Sequence, residues 1–203
     1  MRIAAISIKK LNKKGCRFEG EHYLNDDSFL SMKIEDLKNV ITLESIAQVF
    51  NPPVFRRQFC SKSNKSVPYF QSSEVQNASE ETNVYIFGEQ ARRLNLLVNK
   101  GDILITGFGT IGNTRLVNKH QDQVCYANNV CRVRTNEGVS MGYIYAFLSS
   151  RYGKAQLNKN GSGSVVRYIE APGIKKTLIP EFPIDFQKKI DGMIKESSLL
   201  AVM

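Results

Sequence analysis

The chain has 203 residues, 42% of them hydrophobic, which suits one ordinary domain with a core plus an appendage and is too short for two domains of typical size. Lys and Arg number 28 against 19 Asp and Glu, a formal net charge of +9, and a surface this basic attracts polyanions, nucleic acid foremost. Leu, Ile, Val and Phe recur throughout, which argues against disorder, and no apolar run is long enough to span a bilayer.

The N-terminus, MRIAAISIKKLNKK, lacks the apolar stretch and cleavage site of a signal peptide, so a reducing cytoplasm is the expected setting. Residues 1–38 read as a polar lead-in segment. TLESIAQVF predicts a helix from Thr42 to Phe50, with Thr42 as N-cap and Leu43, Ile46, Ala47 and Phe50 on one face. Pro52-Pro53 stops it.

Residues 56–83 carry the Ser, Asn, Lys and Arg of loop chemistry, interrupted by a short strand at VPYF; VYIF is a second strand. DILIT is a strand, GFGTIGNT a Gly-rich turn and RLV the returning strand. VCYANNVCRVR is a strand pair or one long bent strand. A helix is predicted over Met141–Leu157, with Ser140 as N-cap and Ile144, Phe147, Leu148 and Ala155 as its buried stripe. A basic Gly/Ser loop follows, then a short strand in KKTLIPEFP, then a helix through FQKKIDGMIKESSLLAVM that Asp185 could cap. In that helix Ile190, Met193, Ile194, Ser197 and Leu200 fall at helical or heptad-like spacing. The spacing of short β-runs with polar turns predicts an α+β fold: a mixed, mostly antiparallel twisted sheet with flanking helices.

Cys16, Cys60, Cys125 and Cys131 form no CxxC pair, and His22 and His120 stand apart, so no zinc or other metal site is expected. On one strand Cys125 and Cys131 would share a face as buried free thiols.

Two motifs tempt a catalytic reading. GFGTIG, residues 107–112, matches the G-x-G-x-x-G of dinucleotide sites, but NTRLVNKHQDQ after it does not read as an amphipathic helix, and no acidic residue ends a second strand. A tight glycine turn explains it, and no cofactor is expected. NPPVF, residues 51–55, resembles the Asn-Pro-Pro-aromatic motif of DNA amino-methyltransferases, but Val54 holds the aromatic place and little chain precedes it to hold S-adenosylmethionine. No nucleophile elbow accompanies the histidines, so no catalytic residue is assigned.

Several segments, in order, resemble the type I restriction-modification specificity-subunit family. They are ITLESIAQV, VPYFQSSEV, GDILIT with GTIG two residues on, CYANNVCRVRT, YIYAFLSSRYGKAQL, and NGSGSVVRYIEAPGIKKTLIPEFPIDFQKKI. The match covers roughly residues 40–195. It departs where Val165-Val166 follow the Gly-Ser loop, and in offering one recognition domain where the family usually has two joined by long helices.

The resemblance implies a lead-in over 1–38, a DNA target-recognition domain over 39–183, and the start of a dimerisation or spacer helix over 184–203. It implies a non-catalytic reader of one half of a bipartite double-stranded DNA site. Its partners would be N6-adenine methyltransferase subunits, a restriction subunit, and a second recognition domain or a second copy through the last helix.

The residues agree with such a role, because phosphates call for exposed Lys and Arg and base edges for paired donors and acceptors. Arg56, Arg57, Lys62, Asn64 and Lys65 crowd one loop; Thr110, Asn113 and Arg115 lie in or flank the GTIG turn; Lys159, Asn160, Ser162, Ser164 and Arg167 surround the Gly-Ser loop. Ile190, Met193, Ile194 and Leu200 form the seam expected to meet another helix. Two rivals stay open: a free-standing adenine DNA methyltransferase using Asn51–Phe55, and an RNA-binding or protein-interaction module on the same fold.

Overall fold

A computed structural model describes residues 25–76, 81–163 and 167–200, and its centre is the run Ile103–Thr106, buried at all four positions. A strand covered on both faces needs no polar alternation. Here Ile103 and Ile105 enter one core cluster while Leu104 enters another.

The elements in chain order are α1 (Asp26–Glu35), β1 (Val40–Thr42), α2 (Leu43–Ile46), β2 (Ala47–Phe50), β3 (Phe59–Cys60), β4 (Ser66–Phe70), a 3-10 turn (Ser72–Gln76), β5 (Tyr85–Phe87), α3 (Gly88–Arg93), β6 (Ile103–Thr106), β7 (Thr114–Leu116), β8 (Cys125–Tyr126), β9 (Val130–Thr135), α4 (Met141–Ser149), α5 (Arg151–Asn160), α6 (Ala171–Lys175), β10 (Leu178–Pro180) and α7 (Ile184–Leu200).

The central sheet has the order β2-β9-β6-β7, antiparallel throughout. A second sheet, β3-β5-β4-β8, is antiparallel except for the parallel pair β4–β8, and β1 pairs antiparallel with β10 in a two-stranded ribbon. The fold is α+β with mixed, mostly antiparallel sheets and flanking helices, as the strand spacing predicts. Helices supply Tyr143, Ile144, Leu148 and Leu157 to the cluster that receives Ile103, Ile105, Cys131 and Val133. Phe70, Val75 and Tyr126 close over Leu104 and Val130 on the opposite side.

Three local expectations are corrected. The helix predicted over 42–50 is one turn, α2, followed by strand β2. Ala47 and Val49 are buried while Gln48 is exposed, and Val49 lies opposite Val133. Pairing with β9 imposes a period of two on a segment whose apolar spacing also fits a helix, and tertiary context overrides propensity. The helix predicted over 141–157 is two helices, broken at Ser150, whose backbone is extended and whose Oγ accepts the Gly153 N–H at 3.3 Å as an N-cap. The lead-in, in its described part, contains α1, capped by Asn25, whose Oδ1 accepts the Ser28 N–H at 2.7 Å. This helix docks on α5 through Asp27–Asn158 (2.9 Å) and Glu35–Lys159 (2.9 Å).

Cys125 and Cys131 are free and buried, on two strands of different sheets rather than one. Burial pushes both thiols up to about 12, so at neutral pH they are inert, protonated packing groups. Cys16 and His22 lie outside the described residues. Arg132, fully buried on β9, donates to the carbonyls of Asn95 (3.2 Å) and Leu96, and desolvation lowers its pKa. Neighbouring Arg134 makes a forked pair with buried Asp102 at 2.8 and 2.9 Å.

Candidate nucleic-acid interface

Strand register decides which loops meet. Phe50 ends β2 opposite Arg132, Thr106 ends β6 opposite Val130, and Thr114 opens β7 opposite Ile105. The segments after Phe50, between Thr106 and Thr114, and before Val130 therefore emerge at the same end of the central sheet.

The turn at 107–113 is tied by Thr106. Its Oγ1 donates to the Thr110 carbonyl at 2.5 Å and accepts the Asn113 N–H at 3.1 Å, and its own N–H donates to the Asn113 carbonyl at 2.9 Å. Gly112 takes φ +79°, a left-handed conformation that glycine adopts without strain. At Gly107 a Cβ would sit 2.6 Å from the Ile169 carbonyl and 2.8 Å from that of Asn129, so only glycine lets these three segments touch. In the G-x-G-x-x-G pattern Gly107 thus answers to close packing, and Gly109 and Gly112, at φ +73° and +79°, to backbone conformation.

The described flanks of the Gly-Ser loop pair with each other and with this turn. The Ile169 N–H donates to the Gly107 carbonyl at 2.8 Å, and Ser162 and Tyr168 exchange two backbone bonds of 2.8 and 2.9 Å. The pairing brings Phe108 and Tyr168 ring to ring, with centroids 5.6 Å apart and planes at 17°. Thr110, Ser162 and Arg167 are exposed around them, with Arg167 donating to the Asn158 carbonyl. Ser164 lies outside the described residues.

A second basic group lies along the edge of the small sheet. Arg56, Arg57, Lys62, Asn64 and Lys65 are all exposed. Arg57 donates its Nε–H to the Tyr69 hydroxyl at 2.6 Å, and Lys62 sits 5.9 Å from the centre of the Tyr85 ring. The Gly88 N–H donates to the Lys65 carbonyl at 2.8 Å, which sets α3 beside this loop and brings exposed Arg92 to it, with exposed Arg93 next in the chain. Sequence reasoning missed both arginines because ARRLNLL reads as an apolar run; two adjacent cations inside such a run were the available signal. It also missed Lys154, exposed on α5, whose Cα lies 3.9 Å from where a Gly112 Cβ would stand.

The structure places the other expected contact residues as follows. Lys159 is not available to a phosphate: its side chain is 8% exposed and its ammonium is held by Glu35 at 2.9 Å and Ser31 at 3.2 Å. The Asn160 amide donates to the Gly173 carbonyl at 3.2 Å. Asn113 is half-buried and spends its backbone on Thr106. Arg115 reaches the Val75 carbonyl at 3.4 Å and lines a groove of about 250 Å³ with Gln76, Tyr145 and Ile194, on the side of α7 rather than at the turn.

Asn51 is a structural staple. Its Oδ1 accepts the Ala171 N–H at 2.9 Å and its Nδ2 donates to the Asn128 carbonyl at 3.3 Å, joining the end of β2 to α6 and to the β8–β9 turn. Pro52 is buried, and Val54, in the aromatic place of the methyltransferase motif, is 87% exposed.

The apolar seam of α7 divides. Ile190 packs against the main core and Ile194 faces the groove shared with Tyr145, whereas Met193 is 60% exposed. Asp191 holds the helix to α4 by accepting the Gly142 N–H at 2.6 Å; Asp185 lies in the first turn rather than at the cap. The side chain of Leu200 lies outside the described residues. Among the described residues no three of His, Cys, Asp and Glu come together, and no helix is long and apolar enough to cross a membrane.

No curated protein matches the chain. Among solved structures, the HsdS subunit from Thermoanaerobacter tengcongensis is 13% identical with a TM-score of 0.57, covering 87% of this chain and 44% of that one. A chain from a structural study of complex assembly and conformational transition in the type I R-M system is also 13% identical, with a TM-score of 0.61 and coverage of 96% and 48%. The type I restriction-modification S subunit from M. genitalium is 14% identical, with a TM-score of 0.53 and coverage of 77% and 38%. These likenesses establish the fold, and this chain spans less than half the length of each of the three. A family model for the type I restriction modification DNA specificity domain matches residues 35–194, most of the chain, and the chain belongs to that family.

Proposed function

We infer that the chain reads DNA sequence, as the specificity subunit of a restriction-modification system or as half of one. In this reading residues 39–183 recognise one half of a bipartite duplex site, and the helix that opens at Ile184 leads toward a second recognition domain or a second copy. Methylation of an adenine amine, and cleavage, belong to partner methyltransferase and restriction subunits. The chain contributes position and specificity and no catalytic group.

The observation that carries this reading is the convergence of a glycine-tied turn and a Gly-Ser loop at one end of the central sheet, in a chain of net charge +9. Backbone bonds fix the turn at 107–113 and the Gly-Ser loop's flanks at Ser162 and Tyr168 before any ligand arrives, and fixed positions bearing Thr110 and Ser162 suit base edges better than flexible ones do. The exposed cations at 56–65, with Arg92 and Arg93, suit phosphates, which position a reader without specifying sequence.

The test is selection from a randomised duplex pool by the purified chain, at low and near-physiological salt. An enriched motif of a few base pairs that survives the higher salt is expected. Enrichment of nothing, with binding lost as salt rises, would reduce the affinity to counterion release and sink the reading.

A further inference from the structure

The Phe108–Tyr168 pair has no part in the core. Neither ring belongs to the three buried clusters, and the two remain 42% and 38% exposed. Mutual stacking can cover only one face of each ring. About two-fifths of each residue is left exposed to solvent, a cost that packing does not explain. The rings are also rigidly mounted, since the backbone bridges Phe108 to Tyr168 and Tyr168 to Ser162.

Their surroundings select among ligands. Arg167 precedes Tyr168, and Lys154 lies beside the turn that carries Phe108; the nearby carboxylate is Glu170, exposed two residues beyond Tyr168. A flat aromatic surface with an exposed arginine next to it in the chain and an exposed lysine beside the same turn fits a nucleobase face with its phosphates nearby. An apolar protein partner would not call for the flanking charge.

We propose that the Phe108–Tyr168 pair is a wedge that enters one base step of the bound duplex and stacks on the bases it parts. This rests on the DNA-reading function inferred above and adds a specificity element to it. A step opened in this way is chosen by how easily it deforms, not by hydrogen bonds to its edges. Pyrimidine–purine steps part most readily, so one is expected at a fixed place in the enriched motif.

The experiment scans 2-aminopurine through the selected duplex and titrates it with the full chain. Wild type raises the fluorescence at one step only. Phe108→Ala with Tyr168→Ala abolishes that rise and weakens binding about tenfold or more, the scale of lost base–aromatic stacking. Thermal melting checks that the double variant folds; if it does not, the single variants Phe108→Ala and Tyr168→Ala take its place, each removing one ring of the wedge. If wild type brightens no position, or the folded variants keep both the signal and the affinity, the wedge is wrong while the DNA reader stands. If no duplex is selected at all, the reader falls and the wedge with it.

Discussion

Lys159 and Arg167 both read in the sequence as phosphate contacts beside a Gly-Ser loop, and the structure buries the first in an ion pair and leaves the second exposed. Lys159→Met keeps the apolar stem and removes the ammonium. It leaves Glu35 without its cation and Ser31 without a donor at the joint between α1 and α5. Breaking a fully buried pair costs about 3–5 kcal/mol. Glu35 is 21% exposed and recovers some hydration, which lowers the expected loss to about 2 kcal/mol. For a domain of this size each kcal/mol moves Tm by about 2–4 °C, so a drop of about 4–8 °C is expected. Affinity for a duplex, and its dependence on salt, should not change. Arg167→Ala should do the reverse, leaving Tm within about 1–2 °C because an exposed side chain contributes about 0.5 kcal/mol at most. It should lower the slope of log affinity against log salt by about 0.9, the loss of one phosphate contact. Differential scanning fluorimetry and a salt series of binding isotherms measure both. An unchanged Tm and a flatter salt slope for Lys159→Met would refute the reasoning.

Alkaline stability follows from the buried acids. Cys125 and Cys131 rise from an ordinary value of 9.0 to about 12, and Tyr143 from 10.0 to about 12, in each case chiefly through desolvation. Above pH 9 the unfolded chain releases protons that the folded chain retains. Stability should therefore be complete below pH 9 and fall toward pH 12, by up to about 1.4 kcal/mol per pH unit for each group. Urea melts of wild type and Cys131→Ala at pH 8, 9.5 and 10.5 test this; equal losses in both would count against the assignment. Leu148→Ala removes a fully buried side chain between α4 and the central sheet and should cost about 2–5 kcal/mol, read as a lower urea midpoint at unchanged slope. Met193→Lys should weaken any helix-to-helix self-association without lowering Tm, since that side chain is 60% exposed. Sedimentation velocity at high micromolar concentration reads it, and identical profiles for variant and wild type would remove Met193 from the interface.

An apolar run and turn chemistry made the strands around the GTIG turn legible in the sequence, and the ordered set of such segments carried the family resemblance. DILIT and RLV stand where the pattern puts them because glycine turns and apolar runs are local facts. Composition gave the positive charge and hence the class of partner. The fate of TLESIAQVF was not legible, because its apolar residues fit a helix face and a strand face alike; only pairing with β9 decides for the strand. Nor did local sequence distinguish Lys159 from Arg167, since a lysine's role depends on whether a carboxylate more than a hundred residues away packs against it. The meeting of Phe108 with Tyr168, and of Lys65 with Arg92, likewise arises from long-range contacts. Sequence determines which residues are able to bind, through charge, turn geometry and periodicity; tertiary structure decides which of them remain exposed to do so, because a charge buried against a partner is already satisfied.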